Sequence, residues 1–167
     1  MILGMSTAAF TEFHVLLSLI GIVSGIVVLS GMFNSNRLPA MTSIFLVTTV
    51  LTSVTGFMFD SPFGPARIVG IISLIALAAA ILALYTYKLA GSWRWIYVAT
   101  AVFALYLNVF VLVAQAFAKV PFFHALAPTQ KEPPFAVAQG IVMIAFIVLG
   151  ILAARRFRPP ARSAALA

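Results

Sequence analysis

The chain has 167 residues, of which 63% are hydrophobic and only 8% charged, with ten Lys and Arg, three Asp and Glu, fifteen Phe and no Cys. Soluble domains carry about 25% charged residues. So apolar a composition excludes a soluble globular enzyme, a disordered chain, a disulfide-stapled module and a Cys-ligated metal or haem c protein. A polytopic membrane protein remains. The formal net charge of +7 then reads as topology and lipid-headgroup contact, not as affinity for nucleic acid.

A helix rises ~1.5 Å per residue, so about 20 apolar residues cross the hydrocarbon core. Five runs qualify, at 13–32, 39–59, 68–87, 95–118 and 135–154. Continuous apolar runs of this length predict helices; barrel strands are shorter and alternate. The expected fold is all-α: an integral membrane bundle of five transmembrane helices. It forms one domain over 1–155, followed by a basic cytoplasmic tail at 156–167.

The first span opens with Glu12 and His14 and has no Lys or Arg before it. It reads as a retained helix, not a cleaved signal peptide. Gly21 and Gly25 form a small-xxx-small pair within it. Asn34, Ser35 and Asn36 break the chain, and Pro39 sits where a helix can begin without losing a needed hydrogen bond. On the second span Thr49, Thr52, Ser53, Gly56 and Asp60 share one face. Residues 61–65 predict a tight turn that Asp60 and Arg67 flank as an ion pair.

The third span is Ala-rich, with Gly70, Ser73 and Ala80 on a smooth face. Tyr85, Tyr87, Trp93, Trp95 and Tyr97 surround the Gly91-Ser92 break as an aromatic belt. The fourth span aligns Tyr97, Ala101, Ala104, Asn108, Gln115 and Lys119, with Asn108 strongly polar at mid-depth. The connection 120–135 is long for a chain of short turns. Its apolar first half predicts a short interfacial helix, and Pro133 and Pro134 extend its second half. The fifth span packs through Gln139, Met143 and Gly150. No proline lies inside a span, so no proline kink is expected.

Seven basic residues (Arg37, Lys88, Arg94, Arg155, Arg156, Arg158 and Arg162) fall on one side of these spans, and Arg67, Lys119 and Lys131 on the other. The positive-inside rule places the N-terminus outside and the C-terminus in the cytoplasm. The Ala-rich, Cys-free composition and the lack of a signal peptide suit a bacterial inner (plasma) membrane.

This topology gathers Glu12, His14, Asp60, Gln115, Lys119, His124, Lys131, Glu132 and Gln139 at the outer rim. Helix capping and packing explain such a rim in structural terms. A functional reading makes it a polar pocket roofed by the 120–135 loop. His14 is its centre, Asp60, Gln115, His124 and Gln139 are its partners, and Asn108 lies below. Two imidazoles can ligate a haem iron or join a carboxylate around a metal, and His14 with Gln115 can hydrogen-bond a quinone. An alternative is a non-catalytic accessory or assembly subunit, bound to another membrane protein or to a second copy. Another is a small-solute transporter, although no charge lies near mid-membrane and no helix is interrupted. The chain lacks a phosphate loop, an HExxH and a Ser-His pair in one motif, so an enzyme is not expected.

Overall fold

The computed structural model describes residues 2–59 and 64–159. Six helices follow in order: α1 Thr7–Phe33, α2 Pro39–Gly56, α3 Pro65–Ile81, α4 Trp93–Lys119, α5 Pro121–Leu126 and α6 Pro133–Arg156. A π turn, Leu82–Thr86, prolongs α3. The five long helices α1, α2, α3 (with its π turn), α4 and α6 are each long and apolar enough to cross a membrane.

The termini of these helices have local causes. α1 begins six residues before the predicted boundary because the Ser6 hydroxyl caps it, accepting the Ala9 amide at 3.2 Å. α2 stops at Gly56, short of 59, where Phe57 and Met58 donate to the carbonyls three residues back, both at 3.1 Å. Pro39, Pro65, Pro121 and Pro133 all stand in a first turn, where the missing N–H costs nothing. Pro133 and Pro134 therefore start α6 instead of extending the loop, which corrects the sequence reading. The apolar first half of that loop is α5. The π turn closes through the Tyr87 amide on the Leu82 carbonyl at 2.9 Å and has no signature in the sequence.

The long helices close a ring in which α1 meets α2, α2 meets α3, α3 meets α4, α4 meets α6 and α6 returns to α1. α1 also packs on α4 across the middle. Gly25 permits that approach: a Cβ there would stand 2.6 Å from Leu105 Cδ1 and 2.9 Å from two ring atoms of Phe45. Val28, Met32, Phe45, Leu77, Val98 and Leu105 fill the core around this point. Tyr97 joins that core, only 2% exposed, and so leaves the aromatic belt to Tyr85, Tyr87, Trp93 and Trp95. Beside Gly25 lies an apolar void of about 10 Å³, about the space of one water and lined by nothing that would hold one.

α6 is enclosed least. Gln139 and Ala153 are its only buried residues, and Met143, predicted to pack with Gln139, is 46% exposed. Its C-terminal end is nevertheless held firmly. One Arg94 guanidinium nitrogen donates to the Ala154 carbonyl at 3.2 Å and to the Phe157 carbonyl. The Ser35 hydroxyl, between α1 and α2, donates to the Arg156 carbonyl at 2.6 Å and accepts the Arg158 amide at 3.0 Å. Phe157 turns back into the core at 1% exposure. Residues 160–167, including Arg162 and most of the predicted tail, lie outside the described residues.

Candidate functional site

His14 sits on the face of α1 that meets the end of α2. Its Nδ1 lies 2.8 Å from Thr55 Oγ1. The Thr55 hydroxyl also donates back to its own helix, with the Leu51 carbonyl at 2.7 Å and the Thr52 carbonyl at 3.2 Å. A ring protonated at Nδ1 donates here and keeps its Nε2 lone pair, which has no hydrogen-bond partner among the described residues. Phe59 meets the ring edge-on at 5.2 Å between centroids, and Phe10 backs Phe59 at the same distance. Gly56 lies beside the ring, and a Cβ there would stand in ordinary contact, 3.5 Å from His14 Cε1. Metal-ligating histidines donate their second ring N–H in the same way, and the same lone pair also accepts from a hydroxyl.

Asn108 occupies a different joint. Its Nδ2 donates to Thr49 Oγ1 at 3.3 Å. Gly21 closes over the pair: a Cβ there would stand 3.1 Å from Thr49 Oγ1 and 3.4 Å from Asn108 Nδ2. An amide, a hydroxyl and a glycine thus bring α1, α2 and α4 together at mid-depth, as small and polar residues do between membrane helices.

Gln139 occupies a third joint. Its Nε2 donates to the Phe110 carbonyl of α4 at 3.0 Å. One turn further on, the Ala114 carbonyl accepts Gln130 Nε2 at 2.8 Å. Two glutamines, one from α6 and one from the loop before it, grip successive carbonyls of one helix face. Gln139 Oε1 is buried with no partner among the described residues.

The 120–132 connection is anchored on the same side. Phe117 packs between Phe123 and Phe135, with centroids 5.3 Å and 5.4 Å away. Glu132 folds its carboxylate back on the loop, accepting the Thr129 hydroxyl at 2.8 Å and the Lys131 amide at 3.0 Å. Desolvation pushes the Glu132 carboxyl up, but hydrogen bonds from Thr129 and from nearby backbone amides outweigh it and hold it below the usual carboxylate range.

The residues predicted for one rim pocket therefore lie on separate joints: His14 between α1 and α2, Asn108 among α1, α2 and α4, and Gln139 between α4 and α6. Gln115 is exposed, and His124 is exposed on α5. Asp60, and with it the Asp60–Arg67 pair, lies outside the described residues. Among the described residues no hydrogen bond joins one of these side chains to another. No three His, Cys, Asp or Glu side chains among them gather around one point that would hold a metal ion. The sequence reading passed over Thr55, Gln130 and the capping role of Arg94. Thr55 had one available signal, as the last of five hydroxyls crowded between Thr48 and Thr55.

No family model matches the chain, and neither the curated proteins nor the solved structures contain a match.

Proposed function

We propose that the chain is a non-catalytic subunit of a membrane assembly, in a bacterial plasma membrane, and that α6 docks a transmembrane helix of its partner. The supporting observation is Gly140. A Cβ there would meet nothing within 4 Å, so the bundle itself does not need this glycine. Glycine inside a helix costs ~1 kcal/mol against alanine. It lies on one face with Val137, Ile141, Ile144, Val148 and Ile151, spaced at threes and fours. That ridge points away from the bundle, with Ile141 63% and Ile144 61% exposed. A glycine set in a β-branched ridge is a surface onto which a second helix fits closely.

Gly140→Ile tests this in the full chain. The thermal midpoint of the purified protein should stay within the shift of about 0.5 kcal/mol typical of surface substitutions. Association should weaken about tenfold or more, the equivalent of ~1.4 kcal/mol. Because the chain has no Cys, Ile144→Cys carries a single membrane-phase crosslinker. Crosslinks to another span that Gly140→Ile abolishes are expected. Labelling by lipid-soluble reagents with no protein crosslink overturns the proposal.

The His14 geometry favours a second reading, in which a ring that donates from Nδ1 to Thr55 holds a haem iron through Nε2. Hemin titration of the purified protein should then give a red-shifted Soret band that His14→Ala removes. Identical spectra for the two proteins overturn it.

A further inference from the structure

We propose that α5 lies in the boundary between headgroups and acyl chains of its own leaflet, with Phe122 and Leu126 as the inserted pair and Lys119 and Lys131 facing lipid phosphate. Positions i and i+4 share one side of a helix. On this side Phe122 is 69% and Leu126 45% exposed. The next residue, Phe123, is 38% exposed and bridges the two sides, its ring 5.3 Å from Phe117 and 5.4 Å from Phe122 between centroids. α5 is thus held to α4 by the tilted Phe117–Phe123 ring pair and, through the loop that follows it, by the Gln130 hydrogen bond to the Ala114 carbonyl. It presents an apolar ridge that no part of the bundle covers. Val120, 41% exposed, continues the ridge into the surface of α4.

Charge points to the same occupant. Lys119 and Lys131 bracket the segment, both exposed, and no acid lies between them. Glu132, the next acid along the chain, spends its carboxylate on the Thr129 hydroxyl and the Lys131 backbone amide of its own loop. A short apolar ridge between two exposed ammonium groups matches an anionic leaflet: aliphatic and aromatic groups insert while lysines remain with the phosphates. This inference is independent of the α6 ridge.

The test uses nitroxide labels on the full chain, which has no Cys to remove. Phe122→Cys, Leu126→Cys, His124→Cys and Thr129→Cys are compared in phosphatidylcholine vesicles with and without phosphatidylglycerol. Collisions with oxygen should exceed those with a water-soluble nickel chelate at 122 and 126, and the order should reverse at 124 and 129. Nickel dominance at 122 places α5 in water and overturns the proposal. Low collision rates with both reagents at 122 mean a protein covers it, which also overturns it. Phosphatidylglycerol should deepen the label at 122, and Lys119→Gln/Lys131→Gln should erase that difference. A difference that persists in the double variant overturns the role given to the lysines.

Discussion

Gly25→Ala should destabilise the bundle by roughly 1–3 kcal/mol, and Gly25→Ile should prevent the native fold. The methyl group would enter at 2.6 Å from Leu105 Cδ1 and 2.9 Å from the Phe45 ring. Leu105 can rotate away. Phe45, 1% exposed, borders only the small void of about 10 Å³ beside Gly25 and so has little room to yield. The strain therefore falls on the α1–α2 and α1–α4 contacts together. Thermal unfolding in detergent micelles measures the loss. Gly25→Ala combined with Phe45→Leu should recover part of it, since the smaller side chain makes room for the methyl. A Gly25→Ala protein as stable as wild type would show that α1 and α4 do not approach this closely.

Arg94→Ala should cost about 2–4 kcal/mol. It strips the Ala154 and Phe157 carbonyls of their shared donor at the end of α6, and a hydrogen bond from a charged donor is worth about 1.5–3 kcal/mol. It also removes the guanidinium that lies 4.5 Å over the Trp95 ring. Arg94→Lys should recover only part of the loss, because a compact ammonium that takes the place of Nη1 on the two carbonyls has no flat guanidinium to lie over the indole. Arg155→Ala is the control, since Arg155 is exposed and equally basic. Equal losses at 94 and 155 would reduce Arg94 to one more positive charge at the rim.

The contrast between these arginines marks what was legible in the sequence. Hydropathy reports depth, so the five spans, the breaks at 34–36 and 91–92 and the level of each polar side chain could be read directly. Hydropathy does not report rotation about a helix axis or which helices are neighbours. His14, Asn108 and Gln139 were placed by depth, yet they face three different joints, because their partners depend on how α1, α2, α4 and α6 are turned. Thr55 lies 41 residues from His14, and no local pattern links them. Arg94 was legible as a charge and not as a cap, because topology and C-terminal capping both favour a base at that position. Gly25 and Gly140 look alike in the sequence. Only the packed helices separate a glycine that the core requires from one that it does not.

The hydroxyls of α2 carry a consequence for insulation. Thr48, Thr52, Ser53 and Thr55 each turn their proton back to a carbonyl one turn earlier on the same helix, at 2.7–3.0 Å. α2 thus shows its neighbours a rail of mostly back-bonded hydroxyls, met by His14 Nδ1 at Thr55, by Asn108 Nδ2 at Thr49 and by Ser73 Oγ of α3, to which Ser53 donates at 3.2 Å. Hopping along such a rail would require each hydroxyl to release its own backbone carbonyl in turn, inside hydrocarbon where a stranded polar group costs several kcal/mol. A row of hydroxyls that resembles a wire is therefore mostly tied, side chain by side chain, into the backbone hydrogen bonding of its own helix.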